Sequence, residues 1–326
     1  LRGGFAQGNS SLSFAPSGSH RVRFGGGTAQ GITFADPTTS GFNLVEFADA
    51  AGVTAASDFT AASTATVVSG TVTGTGHGAT LAGTLQDAGG NGWRMDTTTY
   101  TGVPGTLPDS IHGVVHFQAP VTLVKPFRVA GALYLDGSNG VLTPNGSPLT
   151  VTGVLHLAGS GQLKMLAAAD SVDVGGMTVA TSVSGTGLDT VGVLVLRGGF
   201  HQTGGSVTGF AASGSHLTRL VTGSVDSVSF YNPSFTSGSH FSNVQVTAGT
   251  GTIILGSDVE AVGTITKASG AAPTLKGIGS LLRANGLDVD GLVLDSLRLM
   301  KSGILQVVRF DSVTFVHVDS TFDQFT

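Results

Sequence analysis

The chain has 326 residues, of which 11% are charged, 40% are apolar and 51 are glycine, with a net charge of -5 at pH 7. So much apolar content with so little charge excludes a disordered polymer, and mild acidity without a basic stripe argues against a nucleic-acid partner. There is no cysteine, hence no disulfide framework and no thiolate metal site, and no apolar run approaches the ~18 residues of a membrane span.

Glu and Lys are scarce while β-branched residues abound, so the chain reads as nearly all β. Zero Cys suits a secreted protein that stays unfolded during export. No charged segment followed by an apolar one marks a leader at the N-terminus, and there is no initiator Met. Leu1 falls inside a repeated phrase, which points to a processed product or a window of something longer.

That phrase is LRGGFAQGNSSLSFAPSGSHRVRF, and residues 196 onward repeat it as LRGGFHQTGGSVTGFAASGSHLTRL. Leu1 to Phe5 matches Leu196 to Phe200, and Ser17-Gly18-Ser19-His20 matches Ser213-Gly214-Ser215-His216. The likeness runs on, with Phe34 on Phe230, Pro37 on Pro233 and Phe42 on Phe241. A second phrase, FSNVQVTAGTGTIILGSDVEAVGTI at 241–265, has counterparts at 42–72 and 115–133, and LTVTGVLHLAGSGQLKM at 149–165 is echoed at 287–300. One module type thus covers 1–41 and 196–240, and another covers about 42–85, 115–165 and 241–300.

In chain order the strand signals are VRF, ITF, LVEF, VVHF, LYL, LTV, VLHL, VLVL, VSF, VQV, TIIL, LDV, LVL and VTF, each closed by Gly, Ser, Asn or Asp. Short strands at this spacing fit either tandem β-sandwich domains or the coils of a solenoid, and the modular repeats favour the solenoid. The expected fold is all-β, a single continuous right-handed parallel β-helix (β-solenoid) over 1–326 with about a dozen turns, each rising on the order of 4.8 Å. Low charge fits it, because like charges stacked on successive turns repel. Residues 86–110 break the rhythm and read as an inserted loop. That segment holds the single Trp, and Trp93, Arg94 and Tyr100 form a candidate glycan or docking patch.

No catalytic constellation stands out. Asp288 and Asp290 in LDVDG share one strand face and offer a carboxylate pair, and Asp170 with Asp173 is a weaker one, but neither has an acid, base or Arg cluster around it. His112 and His116 lie four apart in IHGVVHF, which reads as a strand that would hold them ~13 Å apart, too far for one metal. The DGSNG loop at 136–140 lacks the downstream Glu of a calcium site. His20 and His216 recur at equivalent positions, which favours a structural role. No cofactor is expected.

SFAPSGSHRVRFGGGTAQGITFADP followed by FNLVEF, and HFSNVQVTAGTGTIILGSDVEAVGTITKASG, resemble the tandem segments of long repetitive secreted bacterial surface proteins, the β-helical, filamentous-haemagglutinin-like adhesins. The resemblance covers most of the chain outside 86–110 and lies in core and turn positions, so no functional residue carries over. It implies a non-catalytic extracellular or cell-surface protein that serves in adhesion or fibre formation. Its implied partners are further copies or a continuation of the chain, and surface glycans. A secreted β-helix that binds or cleaves polysaccharide is the alternative.

Overall fold

The computed structural model describes residues 1–9, 13–87, 89–90, 92–221, 225–247, 251–270, 273–277, 279–288, 292–301 and 314–317. The chain packs as two compact units, one of 1–142 with 150–153 and one of 143–149 with 154–326. Each is a stack of parallel coils of a β-solenoid, about 12 turns in all, and the described residues contain no helix.

In the first unit one coil runs through 53–55, 59–61 and 64–67, and the next lies on it residue for residue. Val53 pairs with Val72, 59–61 with 79–81, and 64–67 with 84–87. The following coil places Trp93 on Val72 and Tyr100 on Leu81. Each coil is therefore three-sided, with alternate residues turned inward as a strand dictates. The pattern shows in Arg21–Phe24, where Val22 and Phe24 are buried and the two arginines are exposed. Identical positions then stack: Phe24 lies on Phe47 with ring centroids 5.6 Å apart and planes 13° apart.

The second unit repeats this plan. Thr252–Leu255, 259–261 and 264–267 make one coil, on which Thr274–Gly277, 282–284 and 286–288 lie. Parallel pairing between successive turns excludes the tandem sandwich, whose neighbouring strands would be antiparallel.

Residues 86–110 need correction. Trp93–Tyr100 is a strand paired with Val72–Leu81 on one side and Val114–Phe117 on the other, so it is a rung of the wall and not an inserted loop. The longest irregular stretch among its described residues is 101–109, and there Leu107 is buried.

Charges on the wall obey the expected rule. The charged pairs Arg23 with Glu46 at 3.0 Å and Lys276 with Asp295 at 3.2 Å sit on stacked positions with opposite sign, and Arg197 reaches Asp173 at 2.7 Å from two residues beyond its register partner Val195. Other steps use hydroxyls and amides, as in Thr54 on Thr73, or set an amide opposite a single cation, as in Arg219 on Gln245.

Candidate functional site

The proposed patch is not a surface platform. Trp93 is 1% exposed and Tyr100 is fully buried; Trp93 and Met95 turn inward at the start of WRMDTTTY, and an irregularity of register after Met95 shifts the phase so that Thr98 and Tyr100 turn inward at its end. The Trp93 ring lies between Phe47 and Phe59 at centroid distances of 6.1 Å, its indole N–H donates to Thr98 Oγ1 at 2.9 Å, and its amide donates to Asp87 Oδ2. Tyr100 packs on Phe117, and burial pushes its phenol far above the ordinary range. Arg94 alone of the three is exposed, on the rim of a shallow groove of about 390 Å³ lined also by Val68, Ser69 and Thr71. An aromatic stacking surface for sugar is thus absent from these three residues.

The acidic candidates are engaged in holding turns. Asp170 is 1% exposed and accepts the amides of Gly146 at 2.6 Å, Leu166 at 2.8 Å and Ala167 at 3.0 Å. Asp173 faces outward and takes both arms of Arg197. Asp288 is exposed, and Asp290 lies outside the described residues. Asp49 and Asp87 do at other corners what Asp170 does. Hydrogen bonding from Gln30 first, and from the amides of Ala51 and Gly27, holds the Asp49 carboxyl below its ordinary value.

His112 and His116 are not on one strand. Gly113, at φ 78°, turns the chain between Ser110–Ile111 and Val114–Phe117, a conformation that side-chain-bearing residues avoid. His116 stacks on Tyr134 with planes 6° apart and meets Asp136 of the DGSNG turn at 2.7 Å. Among the described residues no group of three or more His, Asp or Glu is placed to hold a metal.

The densest constellation is the one that repeats. Phe5, Phe14, Phe34 and Phe42 form an edge-to-face cluster, and Phe200, Phe210, Phe230 and Phe241 form the same cluster. The Phe5–Phe34 and Phe200–Phe230 centroids are 4.8 and 5.0 Å apart, and Phe34–Phe42 and Phe230–Phe241 are 5.1 and 4.9 Å apart. Polar latches repeat with it. Ser40 Oγ accepts the Phe14 amide at 3.1 Å as Ser239 accepts that of Phe210 at 3.2 Å; Ser57 and Ser257 accept those of Phe34 and Phe230, each at 2.8 Å. Asn43 donates to the Gly18 carbonyl, and Ser242 to that of Gly214.

Two buried ionisable groups lie near the second cluster: Asp189, which the sequence reading passed over, and His216, which it gave a structural role from its recurrence. Asp189 is 3% exposed with Oδ1 unpartnered, and burial pushes its carboxyl up to about 8, with the neighbouring Asp170 adding to the rise. His216 is fully buried with neither ring nitrogen bonded, and burial lowers it to about 4. Nothing in GLDTVG separates Asp189 from an ordinary turn aspartate; the signal lies in which turn covers it.

No protein-family model, no curated protein and no solved structure matches this chain. Fold and repeat together define its class, a parallel β-solenoid repeat protein.

Proposed function

We propose that the chain is a structural segment of an extracellular surface repeat protein, of the adhesin or surface-fibre kind, with no catalytic role. One observation carries this reading: the repeat keeps a set of inward rings and the hydroxyls that hold their amides, while several outward positions change. Six aromatic and hydroxyl positions keep their contacts in both copies, whereas outward Arg21 becomes Leu217, Glu46 becomes Gln245 and Ala35 becomes Tyr231. Selection for a reaction would act on a constellation that faces substrate; here the retained groups face the core and the backbone. Low charge and Ser/Thr ladders suit a wall that packs against others of its kind.

The test joins electron microscopy of the purified chain with a glycan array. Filaments or lateral bundles without sugar binding are the expected result. A protein that stays monomeric and binds or cleaves polysaccharide would overturn the reading. Arg94→Ala then reports whether the shallow groove takes the sugar, since Trp93 is buried and its truncation would only damage the core.

A further inference from the structure

In the second unit the strands Phe200–Gln202 and Val225–Ser229 lie side by side on one wall, with Phe200 on Val228 and His201 on Ser229. Phe200 and Val228 point into the core, so their neighbours face outward: an imidazole and two hydroxyls. His201 Nδ1 meets Ser229 Oγ at 3.1 Å, and its Nε2 meets Ser227 Oγ at 3.3 Å. All three residues are half-buried, so each remains in reach of solvent. The ring lies over Gly199, where a Cβ would stand 2.6 Å from Nε2, and glycine is what leaves it that room.

The first copy is built differently at the same places. There Ala6 pairs with Thr33 as His201 pairs with Ser229, and Gly31 precedes Ile32 as Ser227 precedes Val228. The inward positions are kept, since Phe5 and Ile32 answer to Phe200 and Val228. An imidazole and a hydroxyl therefore stand together on a wall whose other copy uses a methyl group and a hydrogen, and packing does not require them. A serine hydroxyl bonded to one nitrogen of an imidazole whose other nitrogen is held by a third group is the arrangement that activates a weak nucleophile. The tautomer that serves carries its proton on Nδ1, donated to Ser229 Oγ, and leaves Nε2 to accept from the Ser227 hydroxyl. A separation of 3.3 Å is usual for such a pair before its substrate binds.

We infer that Ser227 is an acyl-attachment site, with His201 as its base and Ser229 as the positioning residue that holds the imidazole. The donor is an activated ester of a small apolar acid. Ile254 is paired with Ser227 on the next turn and is 36% exposed, so an alkyl group carried by Ser227 lies beside an apolar side chain. As the bond from Ser227 Oγ to the acyl carbon forms, the hydroxyl proton passes to His201 Nε2. The bond from that carbon to the donor's alcohol oxygen then breaks, and Nε2 gives the proton to the departing oxygen. Nothing is oxidised or reduced, and each chain carries one acyl group without turnover. The scaffold reading does not use these residues; the attachment adds a covalent anchor to its wall.

The test incubates the full chain with p-nitrophenyl butyrate and reads the intact mass, the labelled peptide and the nitrophenolate released. One butyryl group on Ser227 with one equivalent of nitrophenolate is the expected result. Ser227→Gly, the residue of the first copy, should abolish the label. His201→Gln keeps a hydrogen-bonding group but has no base, and is expected to slow labelling by at least ~100-fold, the lower end for a positioned base. Ser229→Ala should slow it less, and Ser229→Thr, which restores a hydroxyl as at Thr33, should recover the rate. Circular dichroism checks that each variant is folded, and His201→Ala, again the residue of the first copy, stands in if His201→Gln is not. Label on lysines or on His201 itself overturns the inference, and so does a rate that His201→Gln leaves unchanged. Release of nitrophenolate far beyond one equivalent from Ser227 would also overturn attachment, and with it the non-catalytic reading, whereas absence of label fails this inference alone.

Discussion

His20 and His216 occupy the same place in two copies of one module, each edge-on to a phenyl ring at 6.0 and 6.3 Å. One is exposed and the other is fully buried with no hydrogen bond to either nitrogen. The local sequence, Ser-Gly-Ser-His, is identical, so the difference comes from the neighbouring turn and not from the residue or its coil. In a solenoid every coil supplies half of the environment of the next, and a residue's chemistry is set about one turn away along the chain.

The sharpest way to break the equivalence of the copies is to remove the central ring of each cluster. Phe42 and Phe241 touch every other ring of their clusters and are 1% and 0% exposed. Phe42→Ala and Phe241→Ala are each expected to cost about 3–5 kcal/mol, the range for a phenyl group removed from a packed core. Chemical denaturation followed by hydrogen exchange, so that each copy is read separately, measures both. Similar losses would establish the two clusters as the same structural device; a loss below ~1 kcal/mol at either would show that its rings repack around the gap.

Next in size are the pH effects of the two buried groups at the second copy, His216 and Asp189. Burial lowers His216 to about 4, below its unfolded value near 6.5, so between those values the unfolded chain binds more protons. Stability from this group is present above about 6.5 and is lost as pH falls toward 4, with a slope of at most ~1.4 kcal/mol per pH unit. Asp189 has the opposite sign. Its folded value of about 8 lies above the unfolded one near 4, so its contribution is complete below about 4 and is lost as pH rises through 8. The difference in unfolding free energy between wild type and His216→Leu should therefore vary with pH from 4 to 6.5, and that for Asp189→Asn from 4 to 8. A difference that stays flat across its window for either variant would show that burial does not move that group.

Much of the architecture was legible because many strands alternate large apolar with polar residues: LVEF, VLVL and TIIL all lie in strands. The strands that were passed over, such as FTAASTATVVS and VTGTGHGATL, have small inward residues. Ala61 and Ala65 are buried because Phe42 and Val45 lie directly over them and Phe47, Phe59 and Trp93 fill the space between turns. Size is balanced across stacked coils, and a linear reading sees one coil at a time. Trp93 was open to a better reading, since the alternation of WRM places it inward with Met95; the burial of Tyr100 was not, because it depends on the shift of register after Met95. The fate of Asp189 and His216 was not open to one, because it depends on which turn covers them.

The hydroxyl latches give a smaller comparison. Ser40→Ala and Ser239→Ala each leave a phenylalanine amide without its acceptor, at an expected cost of about 1–3 kcal/mol. Ser239 also donates to the Val207 carbonyl at 2.9 Å and is fully buried, while Ser40 accepts a second bond from Gln7. Ser239→Ala should be the more damaging of the two because water cannot reach the groups it leaves behind. Equal losses, measured by denaturation of each variant, would show that the outer face of the first copy excludes water as well as the second does.

The smallest effect is expected where the copies differ on the wall. Arg23 pairs with Glu46 at 3.0 Å, and at the equivalent step Arg219 meets Gln245 at 3.1 Å, so one ladder is ionic and the other is a neutral acceptor to the same kind of donor. Arg23 is 65% exposed, and Arg21 shares the same carboxylate at 3.2 Å, so solvent screens both pairs while the second arginine adds to the attraction. Glu46→Gln should cost no more than ~1 kcal/mol and Gln245→Glu should gain less, since only Arg219 lies opposite it. Both differences should shrink between 0.05 and 0.5 M salt, on the order of the fall in screening length. A change that persists at high salt would mean that the carboxylate acts through hydrogen-bond geometry and not through charge, and the two ladders would then be different devices despite their shared register.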